Sequence, residues 1–245
     1  MNHVILPDWP APAHVRAATT LRSGGVSEAP YHTFNLAENV NDDEQAVRIN
    51  RNILKNMLSL PDEPIWLKQI HSQTVVLAET RARGREADAS FTHQTGQVCV
   101  VTTADCLPVL VCNRRGTSVA AIHAGWRGLA NGIIENTLQA MSLSPLDILV
   151  WLGPAIGPKV YELGAEVREA FVKNDAASES AFVPSHNKDR WLGNLYVLAK
   201  LRLQKQGISA IYGGEFCTYS EKERFFSYRR DGNQTGRMAS LIWMT

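Results

Sequence analysis

The 245-residue sequence lacks most of the features that announce a function class at a glance. Charge of one sign is missing: 25 lysines and arginines against 24 acids leave a formal net of +1. No basic block of the kind that neutralises a phosphate backbone stands out, so nucleic acid is not the expected partner. Long hydrophobic runs are missing too, none nearing the ~18 residues that cross a bilayer. The opening MNHVILPDWPAP is too short in apolar residues and too broken by proline for a signal peptide. The expectation is a cytoplasmic protein without membrane contact. Cysteine is sparse: Cys99, Cys106, Cys112 and Cys217 form no CxxC, and three of them lie on one apolar segment. In a reducing compartment such residues are free thiols or metal ligands, not a disulfide frame. Nothing marks an oligomer interface, and a monomer is expected.

What is present suits one packed body. Hydrophobic residues make up 44% of the chain, ample for a core. With no repeat, low-complexity tract or linker, one domain over 1–245 is expected. Stretch 41–58, acidic at its start and apolar at Val47, Ile53, Leu54, Met57 and Leu58, predicts an amphipathic helix. PIWLKQIHSQTVVLA predicts extended structure, with Val75, Val76 and Leu77 filling a core and His71 in a turn. QVCVVTT, LPVLVC and TSVAAIHA are of strand length, and Pro108 suggests a strand interrupted or edged beside Asp105 and Cys106. Leu129, Ile133, Ile134, Leu138 and Met141 have helical spacing, and further helices are expected at 164–174 and 194–206. Strands are expected in DILVWL and around ISAIYGG and MASLIWM. Strands and helices alternate without a strict βαβ rhythm, which points to a mixed-sheet α/β or α+β sandwich.

The chemistry concentrates where apolar segments carry polar residues. TTADCLPVL places Asp105 and Cys106 between two strand-like runs, and IHAGWRGL ends a third run on His123. His71, Cys106 and His123 are too far apart in sequence for a local metal loop, so only the fold can gather them. Gathered, two imidazoles and a thiolate would make a three-ligand site with an open fourth position, the arrangement catalytic zinc uses to acidify water. Without a metal, Cys106 could instead be a nucleophile with His123 as its base. Taken singly, each is equally an ordinary residue: a buried thiol, a strand-end histidine, a surface loop. Gly125, Arg127 and Gly128 before a helix could receive an anion, or merely form a tight turn. Arg229, Arg230 and Arg237 lie among Tyr219, Phe225, Phe226 and Tyr228, a composition that could stack a flat ring and hold an anionic group, or form a solvated loop.

Five motifs in order, QIHS (69–72), TADCLPV (103–109), HAGWRG (123–128), GPAIGP (153–158) and FFSYRRDGNQTGRMA (225–239), closely resemble the bacterial YfiH or laccase-domain family. That family is also called polyphenol oxidase, peptidoglycan editing factor and purine nucleoside phosphorylase. The resemblance covers essentially the whole chain. It implies a four-layer α/β/β/α sandwich with mixed sheets, related to YfiH-like cysteine hydrolases, and a zinc site on His71, Cys106 and His123. It departs at Ser72, where QIHS replaces the usual QVHG, and at Asn194, where Asp is common.

Family members are credited with phosphorolysis of adenosine, inosine, guanosine and methylthioadenosine and with adenosine deamination. The resemblance therefore implies a purine nucleoside and phosphate as substrates; for that chemistry Asp105 is a candidate proton carrier, and Arg127 and Gly128 of HAGWRG with Arg229 and Arg230 could supply the substrate's anion pocket. An alternative is an amidase removing L-serine from a UDP-MurNAc peptidoglycan precursor. A copper oxidase is disfavoured because seven histidines, His3, His14, His32, His71, His93, His123 and His186, are too few for a blue-copper centre plus a three-copper cluster. Copper in place of zinc remains compatible with a His and Cys site. From another class, a non-enzymatic zinc protein would close the shell with a fourth protein ligand.

Overall fold

Apolar strands too short to bury themselves alone pair into three sheets in the computed structural model, which describes residues 3–245, the side chain of Thr80 apart. In chain order the elements are β1 (Val4–Ile5), β2 (Val15–Thr20), α1 (Glu44–Met57), β3 (Val75–Leu77), β4 (Ala89–Thr92), β5 (Val98–Thr103), β6 (Leu107–Asn113) and β7 (Val119–Ala124). There follow α2 (Trp126–Asn131), α3 (Ile133–Met141), β8 (Ile148–Leu152), β9 (Glu162–Gly164), α4 (Ala165–Val172), β10 (Phe182–Pro184) and β11 (Arg190–Gly193). Last come α5 (Leu195–Lys205), β12 (Ile211–Gly213), α6 (Tyr228–Asp231) and β13 (Met238–Met244).

A four-stranded sheet runs β1-β2-β13-β5 and a six-stranded one β12-β8-β6-β7-β4-β3, with β10-β11-β9 as a small third. The first is antiparallel, and the second is mixed because β3 joins β4, and β12 joins β8, in parallel. The fold is mixed α/β. Cys99, Val101 and Ile242 of one sheet meet Leu110, Cys112, Ala121 and Trp151 of the other in a shared core. Strands apolar on both faces follow from this position, because each sheet is covered twice. Val109, Ile122 and Val150 turn their opposite face to Leu129, Ile134, Phe171 and Leu203 of α2 to α5. On the outer side, Val98, Val100 and Leu241 pack against Leu54 of α1 and against Phe34 and Leu36. Each such fully buried aliphatic side chain contributes on the order of 1.5–3 kcal/mol.

The helices follow their caps. Asp43 caps α1 by accepting from the N–H groups of Gln45 and Ala46, and Asn194 caps α5 through Tyr196 and Val197. The Asn194 departure thus keeps the capping oxygen that an Asp would provide. The expected single run from Leu129 to Met141 is two helices, because Gly132 adopts φ +94° between them. β3 is the edge of the six-stranded sheet, so only Val76 of its three residues is buried and Leu77 faces solvent. Pro108 lies inside a central strand, not at an edge. Its carbonyl accepts from Gly153, just beyond the end of β8, and the Gly153 carbonyl takes the Tyr196 hydroxyl as its donor. No helix among the described residues is long and apolar enough to cross a membrane.

Candidate metal centre

Thr102 to Leu110 is not one strand but the passage between two sheets: β5 ends at Thr103 and β6 begins at Leu107. Ala104, Asp105 and Cys106 form the corner, where Asp105 takes φ +93°, a conformation rare for any residue but glycine. Cys106 lies one step beyond the Leu107–Ala124 pair of β6 and β7 and so faces Gly125, the residue after the end of β7 and two after His123. A glycine leaves room there, because a Cβ would sit 3.0 Å from Cys106 Sγ and 3.0 Å from His71 Cδ2 and crowd both side chains. The loop carrying His71, itself at φ +60°, closes over this corner.

His71, Cys106 and His123 come together with all their ligand atoms within 4.8 Å of one another, the one such group of three among the described residues. Cys106 Sγ is 3.8 Å from His71 Nε2. Bond lengths of about 2.1 Å to nitrogen and 2.3 Å to sulfur put tetrahedral ligand atoms roughly 3.6 Å apart, so the three donors fit one small ion with a fourth position left for solvent or substrate. Cys99 and Cys112 are fully buried in strands, and Cys217 accepts from the N–H of Gly157, so none of them joins the group.

Asp88, which no sequence motif singled out, binds the two histidines together. Its buried carboxylate accepts from His123 Nδ1 at 2.8 Å, from the N–H of His71 at 3.0 Å and from the N–H of Ser72 at 2.6 Å. The Ser72 hydroxyl donates to it as well, at 2.7 Å, so the serine in QIHS adds a bond that a glycine would lack. With Nδ1 engaged, His123 turns Nε2 toward the cysteine, the orientation a metal-ligating histidine needs. Burial alone would raise the Asp88 pKa, but the hydrogen bonds from His123 and Ser72 outweigh it and hold the value at about 2. Burial likewise opposes charge on Cys106 and His123, yet each stabilises the other. The thiol is lowered to about 6, chiefly by His123, and the imidazole is raised to about 9 by Cys106 and Asp88. The thiol therefore surrenders its proton readily, as a metal ligand or nucleophile must.

The group opens into a cavity of about 450 Å³ whose wall includes Gln69, Asp105, Trp126, Arg127, Tyr161, Tyr228, Arg229 and Arg237. Asp105 is buried and accepts from the Thr218 hydroxyl and from the N–H of Arg229, each at 2.6 Å. Two residues of the FFSYRRDG motif go elsewhere than the cavity or only partly into it. Arg230 turns away, pairs with Asp231 and donates to the carbonyls of Thr218, Tyr219 and Phe225, clamping its own loop. Arg229 lines the cavity and donates to the Glu162 carbonyl at 2.8 Å. Gly128 does not line it: the residue sits inside α2, and a Cβ there would lie 2.9 Å from the Ser72 carbonyl. Its smallness lets the His71 loop pack onto the turn after His123.

Residues 16–245 match the family described as multi-copper polyphenol oxidoreductase laccase. The chain belongs to this laccase family. It is similar to the purine nucleoside phosphorylase PA4543 of Pseudomonas aeruginosa, 52% identical over 244 residues covering 100% of this chain and 99% of that protein. It is also similar to the purine nucleoside phosphorylase YfiH of Escherichia coli, 49% identical with both chains fully covered. Among solved structures it resembles Neisseria meningitidis NMB0706, with a TM-score of 0.95 at 46% identity and 99% of each chain covered. Despite the family's multi-copper name, the group of three found here holds only two imidazoles.

Proposed function

We propose that this laccase-family chain is a zinc-dependent purine nucleoside phosphorylase that also deaminates adenosine. What supports this reading is the cavity itself: a His, Cys and His group with an open side, facing aromatic rings and arginines, in a chain about half identical to proteins named purine nucleoside phosphorylase. His71, Cys106 and His123 would hold the zinc, whose positive charge, when bound, lowers the pKa of a water and activates an oxygen nucleophile.

The chain's own residues divide the remaining tasks. Trp126, Tyr161 and Tyr228 offer aromatic faces to a purine. In phosphorolysis a phosphate oxygen forms a bond to the ribose carbon as the bond to the purine nitrogen breaks, and the leaving base takes a proton. In deamination water adds at the amine-bearing carbon and ammonia leaves, again with a proton. Tyr161 lines the cavity, and burial, then the nearby Cys106, raise its pKa, so its hydroxyl stays protonated and is suited to donate a hydrogen bond to the leaving group, with solvent supplying the proton. Asp105, with both oxygens already accepting, holds the Arg229 segment against the cavity instead of carrying the proton.

The test is product analysis of zinc-loaded protein with adenosine, with and without phosphate, beside Cys106→Ala. Phosphate-dependent adenine and ribose 1-phosphate, together with inosine, are expected from the parent and neither from the variant. Equal turnover by Cys106→Ala would remove the metal from the mechanism. If the parent yields neither product, the purine reading is wrong, and the muramyl-serine precursor becomes the substrate to try.

A further inference from the structure

We propose that Arg127, Arg229 and Arg237 together form a binding site for inorganic phosphate on the wall of the metal cavity. The inference rests on the phosphorylase reading for its ligand, but on unspent charge for its location. All three line the cavity, and none lies within 4.0 Å of a carboxylate among the described residues, whereas Arg230 next to them is paired with Asp231. The carboxylate on this wall is that of Asp105, which already accepts from Thr218 and from the N–H of Arg229. Cys106 and His123 on the same wall offset each other's charge, so the three arginines against Asp105 leave the cavity net positive, which suits a phosphate anion.

The arginines are held in place by contacts that leave donors free. Each guanidinium carbon lies over an aromatic ring: Arg127 at 4.4 Å from Trp126, Arg229 at 5.4 Å from Tyr161 and Arg237 at 5.8 Å from Tyr228. Arg229 gives one nitrogen to the Glu162 carbonyl, and Arg237 gives one to the carbonyls of Thr235 and Gly236. Their remaining N–H groups make no bond inside the described protein. Planar donors fixed by stacking and aimed without a partner are what bidentate recognition of an oxyanion requires. Burial opposes the charge on Arg237 and lowers its pKa, a cost that an arriving anion would relieve.

The test is calorimetric titration of inorganic phosphate into zinc-loaded and chelator-treated protein. The variants are Arg127→Gln, Arg229→Gln, Arg237→Gln and Arg237→Lys, with Arg83→Gln, from outside this cavity, as the control. Each Gln variant is expected to weaken phosphate by about tenfold or more, with Arg237→Lys intermediate and Arg83→Gln unchanged, in both metal states. Binding that ignores the three arginines, vanishes with the metal or falls equally in Arg83→Gln would overturn the site. Adenosine 5′-monophosphate is titrated in parallel. Tighter binding than inorganic phosphate, lost in the same variants, would move the phosphoryl group onto the nucleoside and overturn inorganic phosphate as the ligand. Arginine-dependent phosphate binding without phosphate-dependent adenine release would leave the site standing and remove the phosphorylase reading instead.

Discussion

Two cavities of nearly the same size meet at a common wall of Asn39, Gln69 and Thr102, one of about 450 Å³ over His71, Cys106 and His123 and one of about 480 Å³ behind it. Both contain arginines and aromatic rings. In the rear cavity every cation is answered: Arg51 by Glu38 at 2.6 Å, Lys68 by Glu86 at 2.8 Å and Arg83 by Asp62 at 3.6 Å. In the front cavity the cations are supported by rings and carbonyls but have no carboxylate. Size does not separate the two cavities; the state of charge pairing does. A paired arginine has spent its field on the fold, and an unpaired one retains it for a ligand. Gln69 keeps the two apart, its amide bonded to both the N–H and the carbonyl of Thr102.

If that contrast is sound, substitutions on the two sides of Gln69 should differ sharply. The largest effect belongs to Cys106→Ala, which should lower nucleoside turnover roughly 10³-fold, several kcal/mol of lost charge stabilisation. The rear-cavity Arg83→Gln, assayed for the same products, should stay within about twofold. Tyr161→Phe should reduce both reactions by about 10²-fold with little change in substrate KM, as for a lost hydrogen bond to the transition state. A rise in KM alone would contradict that role.

Gly125→Ala and Asp88→Asn should weaken zinc by about 10–100-fold in chelator competition, one by crowding the ligands and the other by loosening His123. Unchanged zinc affinity in either would show that the front cavity tolerates disorder at its base. Asp88 also predicts an acid limb. Its folded pKa of about 2 lies below the ordinary 3.8, so it stabilises the fold above pH ~4 and that contribution is lost as pH falls toward 2. The metal-free protein should lose about 2 kcal/mol across this window, seen in urea melts, and Asp88→Asn should not show the same loss. Smallest of all, Lys68→Ala breaks an exposed, solvent-screened pair and should leave the urea midpoint essentially unchanged, with zinc and phosphate binding intact.

Local features were legible because their causes are local. The acid-led start of α1 and the buried Cys99 and Cys112 follow from side chains within a turn or a strand of each other. The pairing of distant ligands followed only from the resemblance to a family. Asp88 gave no signal, since a carboxylate before a short strand is ordinary until the donors of His71, Ser72 and His123 converge on it from elements far along the chain. Arg230 and Arg237 look alike in FFSYRRDGNQTGRMA, yet one clamps a loop and the other faces the cavity. Spacing could not tell them apart, because the pairing of a long, flexible side chain depends on what the rest of the fold puts within its reach.

The sequence by itself determined the helices α1, α4 and α5, the apolar strands β5 to β8, β12 and β13 and the types of residue available for chemistry, because periodicity and short-range hydrogen bonds act along the chain. Only the tertiary structure decided that Asp105 and Cys106 stand at a corner between two sheets. It also decided that Gly125 and Gly128 are small to let two loops close, and that three arginines lack carboxylates where their neighbours have them. Those are properties of long-range pairing, in which each group's energy depends on partners that only folding brings near.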